Sequence, residues 1–268
     1  MSRLGDVFAR AGRKPLVAYL CVGDPGVDES VELALTCARA GADVLELGVP
    51  FSDPTADGPA IQRASQRAIA AGGGFDATLR AVAAVRAAEP RVGVVVFGYY
   101  NPIFVHGEDR AAADAASAGA DALLVVDLPI EESATLREAA RRHGIGVVPL
   151  LAPTSRGERV AAVKEASRAG GVPFVYYVSV TGVTGAGEVD AGGAGAHAAR
   201  LREELELPVV VGFGIDSADK ARAAAAGADG VVVGSAIVRV IEDARSAAER
   251  RAGVERLVRE LRAGLDAS

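Results

Sequence analysis

The 268-residue chain carries only two cysteines, three histidines and three lysines. Cys21 and Cys37 are isolated, which argues against a disulfide framework or a thiolate zinc site. His106, His143 and His197 share no metal-ligand spacing. Neither a metal hydrolase nor a Cys/His or Ser/His nucleophilic enzyme is expected. The basic residues are scattered and the net charge is −6, the opposite of a nucleic-acid-binding footprint. No apolar run approaches the roughly 20 residues of a membrane span. The first 14 residues lack the apolar core of a secretory signal, so the expectation is a cytoplasmic protein. No linker or shift in composition divides the chain, which is read as a single domain, 1–268.

What is present is a repeated step. Ala40-Gly41-Ala42-Asp43, Ala118-Gly119-Ala120-Asp121 and Ala226-Gly227-Ala228-Asp229 each close a helical pattern and open a β-branched run. The glycine of each is expected to cap its helix in the left-handed region. Eight candidate strands follow: Pro15–Val22, Val44–Val49, Val92–Tyr99, Ala122–Leu128, Gly146–Leu151, Phe174–Ser179, Pro208–Phe213 and Gly230–Val233. Amphipathic patterns at Asp28–Arg39, Phe75–Ala88, Glu131–His143 and Ser217–Ala226 lie between them. Nearly all-apolar strands fit a parallel sheet buried on both faces. Eight such units in this length predict a closed (β/α)₈ TIM barrel. The alternative, an open doubly wound sheet, usually carries G-x-G-x-x-G after its first strand. Here Val22-Gly23-Asp24-Pro25-Gly26 is a turn instead. The Arg/Glu-rich tail, Arg245 to Arg262, reads as a solvated outer helix.

Catalytic groups of such barrels sit at the carboxyl ends of the strands. In the second candidate strand, alternation turns Leu45, Leu47 and Val49 one way and Val44, Glu46 and Gly48 the other. The leucine face suits the helix layer, so Glu46 points into the barrel. A carboxylate there is costly unless it is paired, hydrogen-bonded or used, and a functional role is favoured over bonding to backbone amides. The next loop, Pro50 to Pro59, holds Asp53 and Asp57. Asp53 precedes a proline and reads as an Asx turn. Asp57-Gly58-Pro59 resembles a helix start, leaving Asp57 evenly divided between cap and catalyst.

The last two candidate strands end in Gly212-Phe213-Gly214-Ile215 and Gly234-Ser235-Ala236-Ile237-Val238. Loops at these places in barrels commonly grip phosphate through backbone N–H groups and a helix N-terminus. Glycine lets the backbone approach closely, and Ser235 adds a hydroxyl donor. The glycine-rich stretch Val180 to Gly195 reads as a lid over that site, with its first part, to Gly185, helping to hold the phosphate.

The run Glu46 to Gln62, ELGVPFSDPTADGPAIQ, resembles the signature of the tryptophan synthase α subunit. So do Gly23-Asp24-Pro25-Gly26, Tyr99-Tyr100-Asn101-Pro102, Asp127-Leu128-Pro129, Thr181-Gly182-Val183-Thr184-Gly185 and the two phosphate motifs, in the family's order and spacing. The resemblance spans about Leu4 to the final helix. It implies a lyase that cleaves indole-3-glycerol phosphate to indole and glyceraldehyde 3-phosphate by a retro-aldol reaction. It implies no cofactor on this chain, pyridoxal phosphate belonging to a partner β subunit, and an α2β2 assembly.

Carried over residue by residue, the resemblance makes Glu46 the general acid that protonates indole C3. Asp57 becomes the carboxylate that accepts the indole N–H and stabilises the developing cation, and Tyr176 a site tyrosine beside Glu46 or the substrate. Tyr19 and Leu124 would wall the indole. Thr184, Gly185, Phe213, Gly214, Gly234 and Ser235 would hold the glycerol phosphate. Three positions depart from the common bacterial pattern: Tyr19 for phenylalanine, Cys21 for threonine and Val180 for arginine. Two other readings remain open. One is another phosphate-binding barrel, such as an indole-glycerol-phosphate synthase or a histidine-biosynthesis enzyme, although the catalytic lysine or aspartate pair of those enzymes is missing here. The other is a weakly catalytic chain that mainly activates its β partner.

Overall fold

The computed structural model describes residues 2–10, 12–155, 157–178, 191–212 and 214–267. Among the described residues are nine short parallel strands: β1 Leu16–Cys21, β2 Val44–Gly48, β3 Gly93–Gly98, β4 Ala122–Val125, β5 Gly146–Val147, β6 Leu150–Leu151, β7 Val175–Val178, β8 Val209–Gly212 and β9 Gly230–Val233. They form one sheet in the order β5-β4-β3-β2-β1-β9-β8-β7-β6. Its two end strands are consecutive in the chain. β5 pairs with β4, and β6, three residues on, pairs with β7. The expected fifth strand, Gly146–Leu151, is therefore one extended segment divided at Pro149, which has no N–H to give a ladder. The Pro149 carbonyl instead accepts from Tyr176, and the Val148 N–H reaches Leu123. The segment bonds both neighbours and the sheet curls into a TIM-like barrel.

Helices lie around the sheet. They are α1 Arg3–Phe8, α2 Val27–Ala40, α3 Pro59–Ala70, α4 Phe75–Ala88, α5 Tyr100–His106, α6 Glu108–Ala118, α7 Ala134–Arg142, α8 Gly157–Arg168, α9 Ala191–Leu205, α10 Ala218–Ala225, α11 Ser235–Asp243 and α12 Ala247–Asp266. A 3₁₀ turn at Ile130–Glu132 takes the start of the helix expected at Glu131. Residue alternation sorts the core into two layers. Leu45, Leu47 and Val49 pack outward with helix residues such as Leu33, Val82 and Val85. Val17, Val44, Val95, Ala122, Leu124, Val148, Phe174, Val210 and Val232 fill the barrel, and Leu4 and Val7 of α1 join that inner cluster. The tail helix α12 is less solvated than its composition suggests, because Val254, Val258, Leu261 and Leu265 are buried along one side. No single helix among the described residues is long and apolar enough to cross a membrane.

The repeated step has a common physical use. Asp43, Asp121 and Asp229 each accept the N–H of a residue on the preceding strand: Leu16, Val94 and Val209. Each is also held by arginine: Arg10, Arg13 and Arg262 on Asp43, Arg3 and Arg86 on Asp121, Arg202 on Asp229. The repeat thus ties neighbouring strands at their amino ends. The glycine expectation holds for Gly41 and Gly119, with φ of 123° and 99°. It fails for Gly227, whose φ lies outside the left-handed region. A Cβ at Gly227 would overlap the backbone of Gly195, so close approach of two chain segments demands glycine there.

Candidate active site

Register places the acid. Tyr19 of β1, Glu46 of β2 and Val95 of β3 are direct neighbours across the ladder. Val95 and its companions face the barrel interior, so Glu46 does too. It is 1% exposed, and its Oε1 has no hydrogen-bond partner among the described residues. Burial disfavours the charged form and pushes its carboxyl up to about 8. A buried, protonated carboxyl with an unpartnered oxygen, at the mouth of a barrel, is suited to giving a proton away.

Asp57 reaches the same place from the loop after β2. Helix α3 starts at Pro59 with Gly58 as its cap residue, and no side chain caps it. The cap reading of Asp57 is thereby removed. Its carboxylate instead accepts a 2.9 Å hydrogen bond from the Tyr99 hydroxyl. That hydroxyl also accepts from the Ala56 N–H at 3.0 Å, and Tyr99 stacks on Phe51 at 4.9 Å. Burial raises Asp57 to about 6, against the lowering effect of Tyr99. Between about pH 6 and 8 one acid is therefore neutral and the other ionised.

Two tyrosines stand beside the acids. The Tyr19 hydroxyl is held well above its ordinary value by burial and by Cys21, Asp57 and Glu46. Tyr176 is raised likewise by burial, then by Glu46 and Asp57. Glycines make room for both rings. A Cβ on Gly48 would lie 2.6 Å from the Tyr19 hydroxyl, and one on Gly212 would overlap that of Tyr176. Leu124 lies in the inner layer next to Phe97 of β3. Tyr19 meets Phe97 edge-on at 5.0 Å.

The described phosphate candidates, Gly214, Gly234 and Ser235, follow β8 and β9 at the same end of the sheet. Gly234 sits against Tyr19, 3.3 Å from a notional Cβ, and leads into α11 at Ser235. The first N–H groups of a helix lack partners within it and favour an anion. Gly214 has a φ of 57°, in the left-handed region where glycine is favoured. Thr184, Gly185, Val180 and Phe213 lie outside the described residues. Most of the segment expected as a lid, Val180 to Gly195, also lies outside the described residues, and its far end from Ala191 belongs to α9.

Tyr99 and Phe97 were missed as site residues by sequence reasoning. Both close an apolar strand and look like core; only the motif Tyr99-Tyr100-Asn101-Pro102 carried a hint. Asp53 is exposed and its carboxylate accepts from the Ser52 hydroxyl; the Thr55 N–H goes to the Asp53 carbonyl rather than to its side chain, so the expected Asx turn is not formed. No cluster of three or more His, Cys, Asp or Glu able to hold a metal occurs among the described residues.

The assignment of Tyr99 predicts the effect of removing its hydroxyl. Tyr99→Phe is expected to raise the Asp57 pKa and lower turnover about tenfold at pH 7, since a hydrogen bond to a charged group contributes roughly 1.5–3 kcal/mol. Turnover compared at pH 7 and pH 8.5 checks this, with the deficit shrinking at the higher pH as Asp57 regains its charge.

Comparison with known proteins gives a consistent result. The profile of a family described as "Tryptophan synthase alpha chain" matches residues 8–266. The tryptophan synthase alpha chain of Citrifermentans bemidjiense is 50% identical over 245 residues, 90% of either chain. That of Geotalea daltonii is 44% identical over 270 residues, covering all of both. The crystal structure of tryptophan synthase subunit alpha from Legionella pneumophila matches with a TM-score of 0.90 at 33% identity over the full length of both chains. A chain of tryptophan synthase from M. tuberculosis matches with a TM-score of 0.84 at 36% identity, covering 99% of each.

Proposed function

The chain belongs to the tryptophan synthase alpha chain family, and from that premise we propose that Glu46 and Asp57 divide the work of its cleavage reaction. The activity is that of an indole-3-glycerol-phosphate lyase of tryptophan biosynthesis. The neutral Glu46 carboxyl gives its proton to indole C3, leaving a cationic indolenine. Ionised Asp57 accepts the ring N–H and stabilises that charge where it develops. The bond from C3 to the glycerol carbon then breaks, and its electron pair restores the indole ring. The hydroxyl on the departing carbon loses its proton to the Glu46 carboxylate and becomes the aldehyde of glyceraldehyde 3-phosphate. Glu46 ends protonated as it began. Tyr176 lines the reacting carbons beside the acids, while Tyr19, Leu124 and Phe97 wall the indole. The phosphate rests on Gly214, Gly234 and Ser235, with Thr184, Gly185 and Phe213 completing its surround.

The observation that carries this reading is a buried and a half-buried carboxyl with separated titration, at about 8 and about 6. Separated environments are the usual way for one acid to deliver a proton while its neighbour stays charged. A β subunit in an α2β2 assembly is the proposed partner and carries the pyridoxal phosphate. Its docking surface includes α5, where Phe104 and Val105 are 64% and 76% exposed, together with the exposed loop at Asp53. Large exposed apolar side chains in one place suit a partner surface. Purified chain mixed with indole-3-glycerol phosphate is expected to release indole, faster with the β subunit present. No indole in either mixture would overturn the reading.

A further inference from the structure

We propose that Arg67 is a positioning residue that sets the spacing between the indole end and the phosphate end of the substrate. The inference rests on the placement of the indole at Asp57 and of the phosphate at the start of α11. Helix α3 begins two residues after Asp57, and α11 begins at Ser235. The two helices pack on each other. Ala64, Ala68 and Val238 join them over Tyr19 and Cys21 of β1. Each helix thus presents one end of the site at its N-terminus.

Their other ends are joined by two guanidiniums, of which only that of Arg67 also reaches the turn after β1. Arg67, in the last turn of α3, donates from Nε and Nη2 to the two oxygens of Asp24, both at 2.8 Å. Its Nη1 donates to Glu242 of α11 at 2.7 Å. Arg63 of α3 adds two further bonds to Glu242, both at 2.7 Å. Asp24 sits in the turn after β1 with its side chain 2% exposed. An exposed ion pair would count for little. A two-pronged bond to a buried carboxylate fixes direction as well as distance.

The lever is long. Ten residues separate Asp57 from Arg67, and a helix rises about 1.5 Å per residue. A small tilt of α3 against α11 at the Arg67 end therefore moves Asp57 relative to Ser235. The substrate is one covalent molecule, so both ends must meet their groups at once. A misplacement of about 1 Å can cost roughly a hundredfold in rate. A fragment that fills only one end does not sense the spacing.

Two variants test this, with kcat and KM measured on indole-3-glycerol phosphate and binding measured for indole alone and glycerol 3-phosphate alone. Arg67→Lys cannot span Asp24 and Glu242 together. Glu242→Gln keeps the Arg67–Asp24 bonds and weakens only the link to α11. It lies on a partly exposed side chain, so it folds even if Arg67→Lys does not. The expected result is a fall in kcat of about tenfold with both fragment affinities within about twofold of wild type. An unchanged kcat in a folded variant would overturn the proposal. Fragment affinities that fall in step with kcat would overturn it too, because they would mark loss of general structure. A Ser235→Asp variant separates the underlying reading, since a carboxylate at the helix start repels phosphate. If it leaves glycerol 3-phosphate binding intact, the phosphate placement falls and the spacing role falls with it. If it abolishes that binding while the Arg67 and Glu242 variants turn over like wild type, only the spacing role falls.

Discussion

Glu46→Gln is expected to reduce indole release by at least about a thousandfold while leaving the barrel folded. A positioned proton donor contributes roughly 10²–10⁴-fold, and here the same side chain serves both the ring carbon and the departing hydroxyl. Glutamine fills the same volume but gives no proton at C3. The fold has no need of the charge, because Oε1 has no partner among the described residues. The stability effect has a definite sign. Glu46 titrates at about 8 in the fold against 4.5 ordinarily. A group raised in this way stabilises the fold fully below its unfolded value, and that contribution is lost as pH rises toward 8, at roughly 1.4 kcal/mol per unit. The inactive Glu46→Gln protein should therefore melt above wild type at pH 8.5 and close to it at pH 4. A variant that melts well below wild type at pH 8.5 would mark Glu46 as a structural group.

Asp57→Asn is expected to lower kcat/KM by about 10²–10³-fold, the usual cost of removing one preorganised stabilising group. Asparagine can still accept from Tyr99 and from the indole N–H, so geometry survives and charge alone is lost. Because Gly58 occupies the cap position and no side chain caps α3, the change leaves the melting temperature near that of wild type. Steady-state kinetics beside thermal melting checks both halves. A folded Asp57→Asn enzyme with near-normal kcat/KM would mean that charge stabilisation is not the role of this residue.

The barrel was legible from alternation and spacing. Every expected strand has a counterpart, with ends that coincide or differ by at most three residues. The division at Pro149 is the chief departure, and the missing proline N–H explains it. Glu46 was legible for a simple reason: one carboxylate interrupts an apolar strand, and the pleat dictates its side. Asp57 was not decidable from local grammar, since an aspartate before Gly-Pro reads equally as a cap. The cap reading falls because Gly58 holds the cap position, and the carboxylate instead meets Tyr99, 42 residues away. Tyr99 was missed for the same reason, its function lying in a contact between loops. Nothing in the local sequence marks Arg67, because its partners Asp24 and Glu242 are 43 and 175 residues distant.

The central claim is that this site works with Glu46 neutral and Asp57 ionised. The pH dependence of kcat/KM for indole-3-glycerol phosphate, measured for wild type and Tyr99→Phe, tests it most directly. Activity is lost below about 6 as Asp57 gains its proton, and above about 8 as Glu46 loses its own. A phosphate group also titrates near 6, so the variant assigns the acid limb. The account predicts a bell whose acid limb moves upward in Tyr99→Phe while the alkaline limb stays near 8. A profile flat from pH 5 to 9, or a variant that shifts the alkaline limb and not the acid one, would contradict it.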